Sequence, residues 1–149
     1  MTRRLTLAAT LAAMGLLALL AWPASLSAQA VGEAEAREFQ RIITSQLDAF
    51  NADDGAAAYA FAAPAIKRLF PTPEIFMSMV RRGYPPVYRR QSYSFGEAGL
   101  DISGAPVQTV TIVDLGGKAW TAVYTMERQP DGTWKIIGCR LVEIPAADA

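Results

Sequence analysis

The 149-residue chain contains no histidine, and this absence removes whole classes of functional site. Histidine is the commonest general base near neutral pH and the commonest metal ligand. Without it, neither a Ser-His-Asp nor a Cys-His catalytic arrangement can form. The remaining ligand types show no metal-binding spacing, so we expect no metal and no cofactor.

Cysteine is almost as scarce, because Cys139 is the single one in the chain. An internal disulfide is therefore excluded. A lone thiol in an exported protein is either buried or available for an intermolecular bond. Cys139 lies in an apolar segment, which favours burial.

Neither sign of charge is in excess, since the chain has 14 basic and 14 acidic side chains. Arg3 and Arg4 belong to a leader segment, and without them twelve basic side chains face fourteen acidic ones. A chain with this charge balance has no excess of basic side chains to form a surface that binds nucleic acid or anionic lipid. The arginine pairs at residues 81–82 and 89–90 form a local basic cluster, which we predict to be a solvated rim.

Residues 1–30 have the pattern of a secretory signal peptide. A positively charged start precedes an uncharged apolar run over residues 5–21, and small residues stand at Ala28 and Ala30. We predict cleavage after Ala30, a periplasmic or secreted product, and one domain over residues 31–149. The alternative is an uncleaved membrane anchor. Contact with the membrane is expected only through this segment.

Helical periodicity fills the first half of the mature chain. Apolar side chains recur every three or four positions in residues 33–51, with Asp48 on the opposite, exposed face. N-capping residues and prolines then mark the starts of three shorter helices. The four predicted helices span residues 33–51, 55–61, 64–70 and 73–82. The apolar stripe of the last one is predicted to be Ile75, Phe76, Met79 and Val80.

After Pro86 the apolar period changes from helical to alternating, which indicates strands. We predict strands over residues 87–95 and 107–114, a loop over 96–104 between them, and a long hairpin over 118–144. Helices followed by a four-stranded meander predict an α+β fold. In this fold the N-terminal helices pack on one face of a curved, cone-like antiparallel sheet.

The hairpin turns at Pro130-Asp131-Gly132, where proline presets φ and glycine accepts a left-handed conformation. A three-residue loop here places Gln129 opposite Thr133 and Tyr124 opposite Gly138.

That register sorts the hairpin into two faces. The face toward the helices is predicted to carry Trp120, Ala122, Tyr124, Met126, Trp134, Ile136 and Val142, interrupted by Arg140. The second face mixes polar and apolar residues: Thr121, Val123, Thr125, Glu127, Lys135, Ile137, Cys139 and Leu141. A shift of one residue would regroup both faces.

Two segments, residues 47–54 and 131–136, resemble the nuclear transport factor 2-like superfamily, also called SnoaL-like or cystatin-like cones. Within it, the chain resembles a bacterial family known as domain of unknown function 4864. The segments that carry this closer resemblance are residues 63–66, 70–73, 76–80, 84–88, 124–127 and 138–141. The resemblance implies the fold but no activity, because cones of this type serve as isomerases, dehydratases, cyclases, binding modules and dimerisation domains.

Arg140 is the one charge on the predicted core face, and two hypotheses concern it. In the first, it stacks on an indole at the sheet edge. In the second, it anchors an anionic group of a small ligand, together with Tyr124, Tyr93 and Trp120.

The second face of the hairpin suggests an interface between two copies of the chain. Its apolar members would form a patch too apolar for water. The predicted dimer face consists of Val123, Ile137, Cys139 and Leu141.

No carboxylate falls on the predicted core face, so we assign no catalytic residue. The sequence therefore predicts an exported, non-enzymatic domain that binds a small apolar or amphipathic ligand or a protein partner, and no nucleic acid. The alternatives are a periplasmic lyase or isomerase that uses a pocket carboxylate, and a homodimerisation module.

Overall fold

A computed structural model describes residues 30–146, and the predicted leader therefore lies outside the described residues apart from Ala30. Five helices precede four strands. The helices are α1 (Glu33–Asn51), α2 (Gly55–Ala60), α3 (Pro64–Leu69), α4 (Pro73–Gly83) and α5 (Pro85–Tyr88). The strands are β1 (Arg90–Leu100), β2 (Pro106–Asp114), β3 (Ala119–Arg128) and β4 (Trp134–Glu143). They form one antiparallel sheet in the order β1-β2-β3-β4, which confirms the predicted α+β class.

Helix α1 supplies the largest apolar surface to the core. Its buried side chains recur at helical spacing, and Asp48 is exposed on the other side, as predicted. One polar residue, Gln46, is buried among them. The buried apolar residues of α1 are Phe39, Ile42, Ile43, Leu47, Ala49 and Phe50.

The carboxyl end of α1 receives positive charge from outside the helix, because its own last turn has no basic residue. Arg90 Nη2 donates to Leu47 O at 2.9 Å, and Arg89 Nη1 donates to Phe50 O. Cations at this end of a helix satisfy free carbonyls and oppose the helix dipole. The prediction of a solvated arginine rim is therefore wrong for Arg89 and Arg90, which are both partly buried.

The short helices start at the predicted capping residues. The Asp54 carboxylate accepts from Ala57 N at 2.9 Å, and the Thr72 hydroxyl accepts from Ile75 N at 3.2 Å. The predicted apolar stripe of α4 is wrong at one position, since Ile75 is 47% exposed and Met77 is buried in its place. The helix is rotated relative to the prediction because it packs mainly against α2 and α5 rather than directly on the sheet.

The first strand begins later and ends later than the sequence predicts. Residues 85–88 form the helical turn α5, and β1 continues through the predicted loop to Leu100. A register irregularity between Phe95 and Ala98 allows this continuation. Gly96 lies within it, where a Cβ would come within 2.4 Å of Thr109 Oγ1, so any larger residue would displace the Thr109 side chain.

The hairpin turn forms at the predicted residues. Gln129 N donates to Thr133 O at 2.7 Å, and Gly132 has a φ of +86°. Glu127 pairs with Lys135 and Met126 with Ile136, so the predicted register holds next to the turn.

Beyond Met126 the register shifts by one residue at a β-bulge. Tyr124 therefore lies opposite Cys139, and the prediction that it faces Gly138 is wrong. An extra residue in one strand moves every later side chain to the other face. Cys139 and Leu141 accordingly pack against the core, whereas Arg140 is exposed and Val142 is 42% exposed. The predicted core-face positions of Arg140 and Val142 are wrong for this reason.

Candidate ligand cavity

A cavity of about 240 Å³ lies between the helical layer and the carboxyl-terminal strands, partly open to solvent. Helices α1, α3, α4 and α5 and strands β3 and β4 all contribute to its walls. The lining is mainly aliphatic and aromatic. Its residues are Gln46, Phe50, Ala62, Ile66, Phe70, Phe76, Met79, Val80, Tyr84, Val87, Tyr124, Ile136, Gly138 and Cys139.

Helix α3 forms the outer wall of the cavity. None of its residues is buried, although Ile66 lines the cavity. Two hydrogen bonds hold the segment at its ends: Ala63 N donates to Ile136 O at 2.8 Å, and Tyr59 Oη donates to Phe70 O at 2.7 Å. The outer wall is thus a six-residue helix in which every residue is exposed or only partly buried.

Three polar side chains interrupt the apolar lining. Gln46 Nε2 donates to Ala58 O at 3.2 Å, and Tyr84 Oη donates to Cys139 O at 3.0 Å. The Tyr124 hydroxyl is different, because it is buried and forms no well-aligned hydrogen bond, although the Cys139 thiol lies beside it. An unpaired buried hydroxyl costs about 1–3 kcal/mol of stability.

The apolar surroundings of the cavity keep its ionisable side chains in their neutral forms. Burial raises the pKa of the Cys139 thiol to about 12, and burial also raises the pKa of Tyr124 well above its usual value. Burial raises the pKa of Tyr84 as well. All three groups ionise to anions, and each is held in its neutral form because the apolar surroundings do not solvate the charge.

The nearest cation is already engaged by backbone carbonyls. The Arg90 guanidinium, whose charge opposes the rise in the pKa of Tyr124, donates to Leu47 O and to Val87 O, each at 2.9 Å. Burial lowers the pKa of Arg90 itself. The interior therefore disfavours a charge of either sign.

The four predicted ligand-binding residues do not come together. Tyr124 lines the cavity, whereas Arg140 lies on the outer face of the sheet. Tyr93 contacts α1 through its hydroxyl, 3.5 Å from Thr44 Oγ1. Trp120 Nε1 donates to Asp114 Oδ2 at 2.9 Å and borders a separate groove.

The predicted dimer face is also divided by the bulge. Val123 pairs with Arg140 on the outer face of the sheet, where it is partly exposed. Cys139 and Leu141 pack against the core, so they do not share a surface with Val123. Ile137 is the extra residue at the bulge and is partly buried.

No carboxylate is among the residues that line the cavity within residues 30–146. Asp114 and Asp101 instead accept hydrogen bonds near the turns that follow them. The pKa of Asp114 is lowered first by the hydrogen bond from the Trp120 indole and then by those from the turn, and the pKa of Asp101 is lowered first by the bond from the Ser103 hydroxyl. The same residues contain no group of three or more acidic or cysteine side chains that could hold a metal ion. No helix in this range is long and apolar enough to cross a membrane.

Gln46 stands within the apolar stripe of α1, and no role was predicted for it. A glutamine within an apolar stripe is a usable signal for a polar group that faces an interior. Nothing comparable in the sequence marks Tyr84 or Cys139 as a residue that lines the cavity. Their positions depend on the bulge in β4 and on a hydrogen bond between residues 55 positions apart.

The chain matches no curated protein and no solved structure. A family model described as a domain of unknown function (DUF4864) matches residues 32–149, which include all nine helices and strands and the whole cavity. The chain therefore belongs to the DUF4864 family.

Proposed function

We propose that this protein is an exported domain that binds a small apolar or amphipathic ligand in the cavity between its helices and β4. The supporting observation is the cavity itself. Protein interiors are normally close-packed, and an unfilled apolar space lowers stability by about 24 cal/mol per Å³. A cavity of about 150 Å³ is enough to bind benzene, so the present one has room for a two-ring or medium-chain molecule.

The proposed place of the family is within the nuclear transport factor 2-like superfamily. Helices that precede a four-stranded antiparallel sheet, with a cavity between the two layers, support this placement. The fold alone does not specify an activity, so the binding proposal depends on the lining of the cavity.

Export is proposed from the charged start, apolar run and small residues of segment 1–30. Cleavage after Ala30 would leave α1 as the first element of the mature chain. N-terminal sequencing of the protein recovered from the periplasm or medium would test this. A mature chain that begins at Val31 is expected, and a full-length chain retained in the membrane fraction would contradict it.

A homodimerisation module is a second candidate, supported by the uncovered outer face of the sheet. The described residues of that face are partly exposed rather than buried, including Val113, Val123 and Thr125. The four-residue patch predicted from sequence is not the surface in question, because the bulge divides it. Among residues 30–146, the lyase or isomerase alternative has no candidate residue in the cavity, since no carboxylate in this range lines it.

Ligand binding can be tested with the neutral fluorescent probe N-phenyl-1-naphthylamine and a matched pair of variants. Ile66 lines the cavity, whereas Leu69, on the same helix, is 70% exposed. We expect Ile66→Trp to fill the cavity and reduce probe binding at least tenfold, and Leu69→Trp to leave it unchanged. Absence of probe binding to the wild type, or equal effects of the two variants, would contradict the proposal.

A further inference from the structure

The Tyr124 hydroxyl is fixed in the wall of the cavity by the two strands on either side of it. Tyr124 pairs with Gln108 of β2 and with Cys139 of β4, and only 1% of the residue is exposed. Its backbone therefore cannot move to bring the hydroxyl to water. The hydroxyl forms no well-aligned hydrogen bond, and the polar group within its reach is the Cys139 thiol.

The Cys139 thiol lies closest in register but is a weak partner. A thiol is both a poor donor and a poor acceptor compared with oxygen. The thiol is protonated at neutral pH, because burial raises its pKa to about 12. The hydroxyl can therefore gain a stronger bond from an oxygen atom brought by a ligand.

The charge of that ligand follows from the surroundings of Tyr124. Groups that would become anions in this wall stay neutral, and Arg90 is already bonded to two carbonyls. A carboxylate that entered the cavity would lose its hydration without gaining a cationic partner. A ketone, ester or alcohol would lose much less hydration free energy on entering the cavity.

We infer that the cavity selects neutral ligands that carry a carbonyl or hydroxyl oxygen, and that Tyr124 donates a hydrogen bond to this oxygen. This inference rests on the proposed function and specifies the class of ligand. The hydroxyl oxygen has almost no exposed surface, so the inference requires the side chains that cover it to move aside when a ligand binds. Met79, which also lines the cavity, is flexible enough to adapt to ligands of different shape.

Three compounds with the same ring system test the inference: naphthalene, 2-acetylnaphthalene and 2-naphthoate. Their affinities are measured by displacement of N-phenyl-1-naphthylamine. We expect the ketone to bind about five- to tenfold more tightly than naphthalene, the gain of one neutral hydrogen bond. The carboxylate is expected to bind at least about tenfold more weakly than naphthalene.

The variant Tyr124→Phe should remove the advantage of the ketone and leave naphthalene binding unchanged. Tyr88→Phe is the matched control, because the Tyr88 hydroxyl bonds to the Asp53 carboxylate and Tyr88 does not line the cavity. It should preserve the affinity ratio of ketone to naphthalene. If Tyr124→Phe fails to fold, the order of the three compounds on the wild type decides the question.

The possible outcomes separate the two proposals. If naphthalene binds but the ketone binds no more tightly, or if the carboxylate binds best, the inference about Tyr124 and neutral ligands is overturned and ligand binding stands. If none of the three displaces the probe and the probe itself does not bind, both proposals fail.

Discussion

Tyr124 and Cys139 face each other across β3 and β4, and both side chains line one cavity. This pairing exists because β4 contains one extra residue relative to β3 beyond Met126. If β3 and β4 kept the register that they have next to the turn, Tyr124 would lie opposite Gly138, Cys139 would lie on the outer face and Arg140 would face the helices. The chemistry of the cavity wall is thus set by a single irregularity in one strand.

The bulge can be tested by placing a lysine at each of two adjacent positions. Leu141→Lys introduces a charge on the core side and should lower the free energy of unfolding by about 2 kcal/mol. Val142→Lys adds a charge at an exposed position and should change it by less than about 0.5 kcal/mol. Chemical denaturation measures both values. The unshifted register predicts the reverse order, so a larger loss at Val142 would contradict the observed pairing.

The poorly bonded hydroxyl of Tyr124 should affect the free energy of unfolding of the ligand-free protein. Tyr124→Phe removes a buried polar group without a partner, so the free energy of unfolding should stay equal or rise by up to about 1 kcal/mol. Tyr59→Phe, in contrast, leaves Phe70 O without its donor and should lower it by about 1 kcal/mol. If Tyr124→Phe proves the more destabilising of the two, the Cys139 thiol is a stronger partner than we infer.

The raised pKa of Cys139 predicts a loss of stability in alkaline solution. The unfolded thiol loses its proton near pH 9, whereas the folded one keeps it until about pH 12. Between these values the unfolded chain binds fewer protons, so stability falls as pH rises, by up to about 1 kcal/mol per pH unit. Below pH 9 the thiol contributes no pH dependence.

Denaturation of the wild type and of Cys139→Ala at pH 8 and pH 10 measures this effect. The wild type should lose more stability than the variant between the two values. Equal losses would show that the thiol is not held neutral by burial.

Arg90 should be the most important of the four clustered arginines for stability. It is partly buried and donates to two carbonyls at the ends of α1 and α5, so Arg90→Met should lower the free energy of unfolding by about 2–3 kcal/mol. The same substitution at the exposed Arg82 should cost less than about 0.5 kcal/mol. Thermal or chemical denaturation of the two variants provides the comparison. Equal losses of unfolding free energy would show that Arg90 contributes no more to stability than the exposed Arg82.

The sequence by itself determined the features that depend on neighbours along the chain. The periodicity of residues 33–51, the capping residues Asp54 and Thr72, and the turn at residues 130–132 all act within a few positions. Each was predictable because the interacting atoms belong to one helix or one turn. The order of helices before strands, and hence the α+β class, followed from the same local signals.

Only the tertiary structure decided which side chains meet inside the protein. The bulge in β4 depends on how two strands pair over their full length, and periodicity cannot detect one unpaired residue. The rotation of α4 and the use of Arg90 as a cap for α1 depend on contacts between segments far apart in the chain. The cavity is a space left between layers, and it arises from the packing of six elements rather than from any motif. For this physical reason the sequence indicated Tyr124 as a site residue but placed it beside Arg140 instead of Cys139.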